Sequence, residues 1–435
     1  MPESVLNIAL IGCGTVGTGV ARILHEQADA LEQRAGRSLR LARVVVRDSS
    51  KSREFVPDDI PVSESIDDVL QDTSIDLAVQ LIGGTDSALD YATRLLNSGK
   101  DVVTANKALI CAHGEELFET AEGAGRTVCF EAAVAGGIPI ISAITTALTG
   151  NRIEAIEGIL NGTSNFILTQ MLTENQSYVE ALKLAQELGY AEADPTLDVD
   201  GTDAAQKLVI LMRLAFGTDV AIDQMSLKGI DRLMLSDLEA ADQLGYRIKL
   251  LAVARLNDGR LEATVQPTLV QSDRTLAQTN GADNIVTLTG SALGQLRLAG
   301  AGAGQMPTAS AVVADVVDYA SGRAENTFRS VLRNRNAESF EVLPQESPEH
   351  RYYIRCIVDD RPHVLADVTD ILGRHEVSIS SLHQDEPESD AAGNPVARLV
   401  IMTHRTAEGR MRQADEDLNQ LDCVRGESLR LPVAE

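Results

Sequence analysis

The first third of the chain alternates short apolar runs with segments in which apolar residues recur every three or four positions. The apolar runs predict strands, and they fall at 5–11, 39–46, 76–82, 101–105 and 127–134. Nearly continuous apolar runs are typical of parallel strands buried on both faces, and helical periodicity between them predicts βαβ units. This part of the chain is therefore predicted to form an α/β domain around a parallel sheet.

From about residue 151 the pattern changes to fewer strands and longer helices. Strands are predicted at 153–160, 261–270 and 282–289, and a helix at 177–188. Asp200-Gly201-Thr202 predicts the start of another helix, because Asp is a favoured capping residue. Together these elements predict an α+β second domain on a mixed sheet.

The C-terminal region is predicted to be a separate small domain. A polar stretch at 321–350, with Pro344 and Pro348, is typical of a linker. A strand, a helix, two strands and a helix are then predicted at 352–358, 364–374, 377–382, 396–404 and 407–421, with a polar loop at 387–395. This order is that of a ferredoxin-like module.

Composition excludes several kinds of function. The net charge of −26 argues against nucleic acid as a partner, since phosphate binding needs a basic surface. The five cysteines are scattered without a C-x-x-C pair, which favours reduced thiols in the cytoplasm over disulfides or a zinc site. The most apolar stretch, 132–148, is too short for a membrane span and contains Gly and Pro, so no membrane contact is expected.

A glycine-rich segment, Gly12-Cys13-Gly14-Thr15-Val16-Gly17, follows the first predicted strand and opens a helix. In this context a G-x-G-x-x-G turn lets the backbone approach a pyrophosphate, which the free N–H groups of the helix start can bind. A second glycine-rich loop at 298–308, before an apolar helix at 309–319, suggests another approach to the cofactor. A glycine turn without a ligand is the alternative interpretation.

The segment after the second predicted strand bears on cofactor choice. An acidic residue there would bind the adenosine ribose of NAD, and Asp48 is available; a basic residue would bind the 2′-phosphate of NADP. Arg47, Lys51 and Arg53 cluster here in an otherwise acidic chain. The cluster favours NADP over NAD, although a merely solvated loop is also possible.

Segment 188–207 concentrates ionisable residues around a turn and a helix start. Asp203 and Lys207 stand four residues apart, so they share one face of the predicted helix. Because that helix is apolar on most sides, it is predicted to be buried, and perturbed ionisable groups in clefts are often catalytic. A solvated loop with a surface ion pair is the alternative.

The same segment resembles the signature of homoserine dehydrogenases. The matching residues are Gly189-Tyr190-Ala191-Glu192-Ala193-Asp194-Pro195, Asp198 and Asp200-Gly201-Thr202-Asp203-Ala204-Ala205-Gln206-Lys207. The resemblance covers almost the whole chain. It implies NAD(P)H-dependent, reversible reduction of L-aspartate 4-semialdehyde to L-homoserine in threonine, methionine and isoleucine biosynthesis, and a homodimer or homotetramer.

The resemblance also implies roles for individual residues. Lys207 is expected to donate the proton to the carbonyl oxygen, and Asp203 to orient it. Substrate binding is expected from Thr163, Tyr190, Glu192, Asp198 and Asp203. Cofactor contacts are expected from Gly12, Gly14, Thr15, Val16, Gly17, Arg47, Lys51, Thr85, Lys107, Gly189 and Gly304. A sodium or potassium ion is implied at Glu131 and the carbonyls of Val134, Gly136 and Ile138.

The C-terminal module resembles ACT domains, which bind amino acids. The usual opening, Asp-x-Pro-Gly-Val-Leu, is here Asp360-Arg361-Pro362-His363-Val364-Leu365, with His in place of Gly. Threonine is the expected effector. Because of His363, inhibition is expected to be weak, or, if the imidazole becomes a ligand, to depend on pH. The expected domains are 1–135 with about 303–325 for NAD(P), 136–302 for substrate and dimerisation, 326–350 as a linker and 351–435 as the ACT domain.

Two other functions stay open on the sequence. An aspartate-semialdehyde dehydrogenase would need a nucleophilic cysteine, and neither Cys111 nor Cys129 stands in a recognisable motif. A non-catalytic sensor of nucleotide and amino acid would have no use for the pairing of Asp203 with Lys207.

Overall fold

The structure is a computed structural model in which residues 5–335, 339–389 and 393–434 are described. The N-terminal region is built on a six-stranded parallel sheet of order β3-β2-β1-β4-β5-β6. Its strands are β1 (Val5–Ile11), β2 (Ser38–Val45), β3 (Val62–Ser63), β4 (Leu77–Gln80), β5 (Asp101–Thr104) and β6 (Val128–Cys129). Its helices are α1 (Thr15–Glu26), α2 (Ala28–Ala35), α3 (Asp67–Leu70), α4 (Asp86–Asn97), α5 (Lys107–Ala124) and α6 (Ile140–Ser142), with a 3₁₀ turn at Glu131–Ala133 and a π turn at Ala143–Ala147.

This sheet confirms the predicted α/β domain around a parallel sheet, and its strand order is that of a Rossmann fold. Both faces of β1 are buried, because Leu6, Ile8 and Leu10 on one face and Ala9 and Ile11 on the other are at most 1% exposed. The strand order reverses between β1 and β4, and ligands of open α/β sheets bind at the carboxyl ends of the strands at such a point. The glycine-rich segment follows β1 at this position.

The central region carries a second, mixed sheet. Six of its seven strands are β7 (Ile153–Ile159), β8 (Ser226–Leu227), β9 (Tyr246–Asn257), β10 (Arg260–Gln271), β11 (Asp283–Gly290) and β12 (Gly294–Ala301), and the seventh is a short strand at Glu341–Val342 that pairs with β10. Its helices are α7 (Gly162–Thr173), α8 (Tyr178–Glu187), α9 (Thr196–Val199), α10 (Thr202–Phe216), α11 (Leu235–Gln243) and α12 (Thr275–Gln278), with a 3₁₀ turn at Ile222–Gln224. The antiparallel hairpin of β9 and β10 turns at Asp258-Gly259, where both φ angles are positive, as in a two-residue hairpin turn.

Two long helices follow, α13 (Gln305–Ala320) and α14 (Arg323–Arg335), and then the short strand β13 (Glu341–Val342). Helix α13 packs against α1 so closely that a Cβ at Gly19 would lie 2.9 Å from the Ala309 Cβ. A linker was expected at 326–350, but its first part belongs to helix α14. This helix packs into the fold, because its residues Ala324, Phe328 and Val331 are buried. The polar composition of this segment hid an apolar stripe with helical spacing.

The C-terminal module is an antiparallel sheet of order β16-β18-β15-β20 with two helices. Its elements are β14 (Glu349–His350), β15 (Tyr352–Asp359), α15 (Val364–Arg374), β16 (Ile379–Gln384), β17 (Glu388–Ser389), β18 (Pro395–Thr403), β19 (Thr406–Ala407), α16 (Glu408–Leu418) and β20 (Leu429–Pro432). Strand β20 completes the ferredoxin-like order that was predicted without it. Part of the predicted loop at 387–395, residues 390–392, lies outside the described residues.

The chain divides into two compact units. The first contains residues 1–154, 206–220 and 284–340, and the second contains 155–205, 221–283 and 341–435. In the second unit, Arg355 of β15 donates from Nε to Asp237 of α11 at 2.8 Å, and both side chains are buried. The C-terminal module is thus anchored to the central region by a buried ion pair.

Two further predictions about local structure were wrong. The strand expected at 127–134 ends at Cys129, because Glu131–Ala133 forms a 3₁₀ turn that directs the Glu131 carboxylate to backbone N–H groups. The glycine-rich stretch 298–308 is not all loop: it begins in β12, and α13 already begins at Gln305. Pro307 is compatible with this early start, because the first turn of a helix needs no N–H donor there.

Candidate active site

A cleft of about 720 Å³ in the first unit lies at the carboxyl ends of β1, β2 and β4. Gly12 has a φ of 95°, and a Cβ there would lie 2.9 Å from the Leu81 carbonyl oxygen. A Cβ at Gly17 would lie 2.2 Å from the carbonyl oxygen of Gly12. No described atom lies within 4 Å of the Cβ position at Gly14, which lines the cleft. Gly12 and Gly17 are therefore needed by the turn, whereas Gly14 leaves room for a ligand.

The start of α1 is where a pyrophosphate would bind. Thr15, Val16 and Gly17 form its first turn, and the N-cap, Gly14, offers no side chain to the free N–H groups. Gln305 donates from Nε2 to the Thr15 carbonyl at 3.0 Å, so the segment carrying Gly304 reaches this turn.

The loop after β2 lines the same cleft and presents both signs of charge. Asp48 accepts hydrogen bonds from the hydroxyl and backbone N–H of Ser50, at 2.6 and 3.1 Å, which lower the pKa of its carboxyl. Lys51 lies 3.5 Å from Asp48. Arg53 donates to the carbonyls of Asp48 and Lys51 and braces the loop. Arg47 lines the cleft and makes no hydrogen bond or ion pair with the part of the chain that is described.

Thr85 and Lys107 are placed at the same edge of the sheet by Asn106. The Asn106 side chain donates to the carbonyls of Ile82 and Gly84, at 3.0 and 2.7 Å, and accepts from Leu109 N at 3.0 Å. It thereby caps α5 and fixes the loop that precedes α4. Lys107 is the half-buried first residue of α5, and Thr85 directly precedes α4.

In the second unit, one amide holds two of the predicted carboxylates. Asn161 donates from Nδ2 to Asp198 at 2.7 Å and to Asp203 at 2.8 Å. Its Oδ1 accepts from Ser164 N at 2.8 Å and caps α7. The Ser164 hydroxyl donates to the Asp198 carbonyl at 2.6 Å. We call Asn161, Asp198 and Asp203 the carboxylate clamp.

Thr163 and Tyr190 lie beside the clamp, whereas Glu192 lies on the surface. The Thr163 hydroxyl donates to the Tyr190 carbonyl at 2.8 Å, and the Tyr190 ring packs on Phe166 with centroids 4.8 Å apart. Gly189 ends the turn after α8 with a φ of 76°. The Glu192 side chain is exposed.

Helix α10 is buried, as predicted, so the alternative of a solvated loop with a surface ion pair does not hold. Ala204, Ala205 and Leu208 are at most 1% exposed, and Asp203 and Lys207 are 5% and 8% exposed. The helix crosses from one unit to the other, with Asp203 in the second and Lys207 in the first. A buried Asp and Lys one turn apart need a chemical reason, since desolvating charges is unfavourable.

A residue that the sequence did not reveal ties α10 to α5 in the first unit. Arg213 is 7% exposed and donates to the carbonyls of Ile110 and Cys111, at 2.6 and 3.2 Å. A Cβ at Gly114 would lie 2.3 Å from the Arg213 Nη1, so a larger residue there would displace this guanidinium. Arg213 thus fixes the helix of Lys207 against the helix that begins at Lys107.

Glu131, the one side chain among the residues expected to bind a cation, is buried and hydrogen-bonded to the backbone. Glu131 is 7% exposed, and its two oxygens accept from the backbone N–H groups of Ile141 and Ser142, at 2.9 and 2.7 Å. Burial raises the pKa of its carboxyl, and the nearby Asp318 charge adds to this. Each carboxylate oxygen keeps a further lone pair, and carbonyls with one carboxylate suit a hard cation. Among the described residues no group of three or more His, Cys, Asp or Glu side chains could hold a metal ion.

The five thiols are unsuited to nucleophilic catalysis. All are free, and burial raises the pKa of each, to about 12 for Cys356 and well above the usual value for Cys129. The reactive form is the thiolate, which a raised pKa disfavours. No helix among the described residues is long and apolar enough to cross a membrane.

A glycine-lined cleft at the switch point of a parallel sheet is typical of a dinucleotide-binding protein, and the buried Asp203 and Lys207 are groups able to transfer a proton, as an NAD(P)-dependent oxidoreductase requires. The family model "Homoserine dehydrogenase" matches residues 139–317, and "Homoserine dehydrogenase, NAD binding domain" matches 12–131. The ACT domain model matches 352–423. The chain belongs to the homoserine dehydrogenase family and has its activity, as predicted.

Relatives extend over the whole chain. The homoserine dehydrogenase of Pseudomonas aeruginosa is 42% identical, covering 98% of both chains, and that of Neisseria gonorrhoeae is 40% identical, covering 96% of both. The crystal structure of a homoserine dehydrogenase from Thiobacillus denitrificans is 40% identical and superposes with a TM-score of 0.91, covering 99% of this chain and 98% of that one. A hyperthermophilic archaeal homoserine dehydrogenase in complex with NADPH is 26% identical, covering 72% of this chain and 97% of that one, with a TM-score of 0.62.

Proposed function

We propose that Lys207 is the proton donor in the reduction of L-aspartate 4-semialdehyde and the base in the reverse reaction. The observation that carries this proposal is the carboxylate clamp, which holds Asp203 one helical turn from Lys207. When bound, the reduced nicotinamide supplies the hydride. The Lys207 ammonium stabilises the negative charge that develops on the carbonyl oxygen and then gives that oxygen its proton. Asp203 orients Lys207 as a positioning residue.

The substrate's α-ammonium is proposed to bind to Asp198 and Glu192, with Tyr190 and Thr163 completing the pocket. Asn161 supports this by holding Asp198 and Asp203 with one amide group, so that two like charges keep a fixed spacing. The activity is tested by following the absorbance of reduced nicotinamide with L-homoserine and NADP. Modification of all thiols with iodoacetamide should leave turnover unchanged, whereas an enzyme with a cysteine nucleophile would lose it.

The cofactor is proposed to be NADP in preference to NAD. Arg47 and Lys51 line the cleft beyond β2, where the 2′-phosphate would bind, and the archaeal relative was solved with NADPH. Gly12, Gly14, Thr15, Val16 and Gly17 are proposed to bind the pyrophosphate. Thr85, Lys107, Gly189 and Gly304 are proposed as further cofactor contacts.

A sodium or potassium ion is proposed at Glu131 and the carbonyls of Val134, Gly136 and Ile138. Its support is the buried Glu131 carboxylate, whose raised pKa a nearby cation would lower. The ion would hold the chain between β6 and α6 and take no part in proton transfer.

Regulation by L-threonine and assembly into a homodimer or homotetramer are also proposed. The ACT domain supports an amino-acid effector. The predicted weakness of inhibition is supported by His363, whose φ of 72° is one that a glycine would adopt freely. Five free thiols support a cytoplasmic location.

A further inference from the structure

The start of α7 carries four buried polar side chains, of which the site described above uses three. Asn161, Thr163 and Ser164 form hydrogen bonds to residues within 190–203. The fourth, Asn165, is 1% exposed, and its backbone N–H donates to the Asn161 carbonyl at 3.3 Å. A displacement of Asn165 would therefore move Asn161, the centre of the carboxylate clamp.

The Asn165 side chain is held by a buried lysine of β9. Lys249 is 3% exposed, and its Nζ donates to Asn165 Oδ1 at 3.0 Å. The same Nζ donates to the Thr279 carbonyl at 2.7 Å and to Asn280 Oδ1 at 3.4 Å. An ammonium has three donors, so all the donors of Lys249 are engaged in this cluster.

The loop before β11 binds the other end of the Asn165 amide. The carbonyl oxygens of Thr279, Gly281 and Asp283 lie 3.0 to 3.2 Å from Asn165 Nδ2. Thr169, one turn further along α7, accepts from Gly281 N at 3.1 Å. Asn165 is thus the residue through which β9 and this loop fix the start of α7.

A lysine is an unfavourable residue for a contact that is only structural. Burial, with a smaller contribution from the charge of Arg247, lowers the pKa of Lys249 to about 8. No carboxylate in the described part of the chain pairs with it. Desolvating a charge that no carboxylate offsets is unfavourable, and natural sequences keep such groups mainly where function needs them.

We propose that Lys249 is a positioning residue for substrate binding, acting through Asn165 on the first turn of α7. This turn carries Asn161, which holds Asp198 and Asp203. The inference rests on the proposed binding of substrate by the carboxylate clamp. A displaced clamp would bind the substrate's α-ammonium less well, so the substrate KM should change more than kcat.

The test is steady-state kinetics of the full chain with Lys249→Met, which removes the donors at similar volume. KM for homoserine should rise by about tenfold or more, while kcat and the NADPH dissociation constant stay within about threefold of the parent. Arg247→Met, two residues earlier on the same face of β9, is the matched control and should behave as the parent does. A thermal midpoint that falls while KM stays unchanged would show a purely structural role and overturn the proposal.

Asn165→Leu and the double variant test the path of the effect. If Lys249 acts through Asn165, Lys249→Met should add little to the rise in KM that Asn165→Leu causes alone. Two effects that multiply in the double variant would mean that Lys249 acts by another path, contrary to the proposal.

Lys249→Gln decides the question if Lys249→Met fails to fold. Its amide keeps N–H donors at similar size but lacks the charge, so KM should rise by about threefold, and an unchanged KM would overturn the proposal. Asn161→Ser, measured alongside, separates this inference from the proposed function. A raised KM in Asn161→Ser but not in Lys249→Met would refute the positioning role alone, and an unchanged KM in both would refute substrate binding by the clamp as well.

Discussion

The nucleotide cleft and the carboxylate clamp use charge in opposite ways. In the cleft, Arg47 and Lys51 are exposed, and the turn itself is shaped by glycines that carry no charge. In the clamp and on α10, Asp203 and Lys207 are almost completely buried. Water and salt screen the electrostatic interactions of exposed charges. Buried charges interact more strongly with their neighbours, but burying them is unfavourable unless they are paired or hydrogen-bonded. In the proposed function, the first region therefore governs cofactor affinity and selectivity, and the second region carries out proton transfer.

The largest effect is expected from Lys207→Met, which removes the proposed proton donor at similar volume. We expect kcat to fall by about 100- to 10,000-fold, as for general acid–base groups. Steady-state kinetics with saturating NADPH and aspartate semialdehyde measure this. Lys183→Met, on the exposed face of α8, is the control and should be indistinguishable from the parent.

A smaller loss is expected from Asn161→Ser, which separates two roles of one side chain. Serine is a good helix cap, so α7 should keep its start, but it cannot hold Asp198 and Asp203 together. We expect kcat/KM for homoserine to fall by about 10- to 100-fold, consistent with a lost hydrogen bond to charged groups. If the thermal midpoint falls but kcat/KM does not, Asn161 has only a structural role.

Arg47→Ala tests the other side of the comparison. It should raise the dissociation constant of NADP by about tenfold, because one charge-assisted contact is lost, and change that of NAD little. The difference should shrink as salt is raised, because Arg47 is exposed. Equal losses for both cofactors would mean that Arg47 does not reach the 2′-phosphate and would leave Asp48 as the ribose partner.

The proposed cation should be visible as stabilisation. Potassium or sodium chloride at about ten times the dissociation constant should raise the unfolding free energy by about 1.4 kcal/mol over choline chloride of equal ionic strength. Glu131→Gln should abolish that difference. Without the ion, the raised pKa of Glu131 makes the folded state bind a proton more tightly than the unfolded state. Stability should therefore fall as pH rises above the ordinary pKa of a glutamate through the raised folded value, and bound ion should reduce this fall.

The smallest effect concerns the C-terminal module. His363 has a left-handed backbone, which disfavours a residue with a Cβ by about 1 kcal/mol. His363→Gly should stabilise the chain by up to about that amount, partly offset by the entropy of glycine in the unfolded state. Denaturant unfolding measures it; a loss of stability would show that the imidazole makes a contact of greater value.

Local patterns predicted much of the fold. Short local patterns were enough to predict the glycine turn, the strands of the first sheet and the burial of α10. The ACT domain was predicted from the order of its strands and helices. The long hairpin of β9 and β10 was only half predicted, although Asp258-Gly259 between apolar strands was a usable signal. Helix α14 was missed because its apolar residues are few.

The candidate site was predicted as a set of residue types but not as an arrangement. Asn161 contacts side chains 37 and 42 residues away, and Arg213 contacts carbonyls more than 100 residues away. Such pairings depend on tertiary packing that no local pattern encodes. Gly114 looks like an ordinary helix interior in sequence, and only the position of Arg213 explains why a side chain is excluded there.

The central claim is that the nucleotide cleft governs cofactor affinity and Lys207 transfers the proton. Its most direct test measures kcat and the NADPH dissociation constant of two variants side by side. Lys207→Met should lose kcat by at least about 100-fold while its fluorescence titration with NADPH stays within a few-fold of the parent. Arg47→Ala should lose NADPH affinity while its kcat at saturating cofactor stays near that of the parent. Retained turnover in Lys207→Met, or lost turnover in saturated Arg47→Ala, would contradict the account.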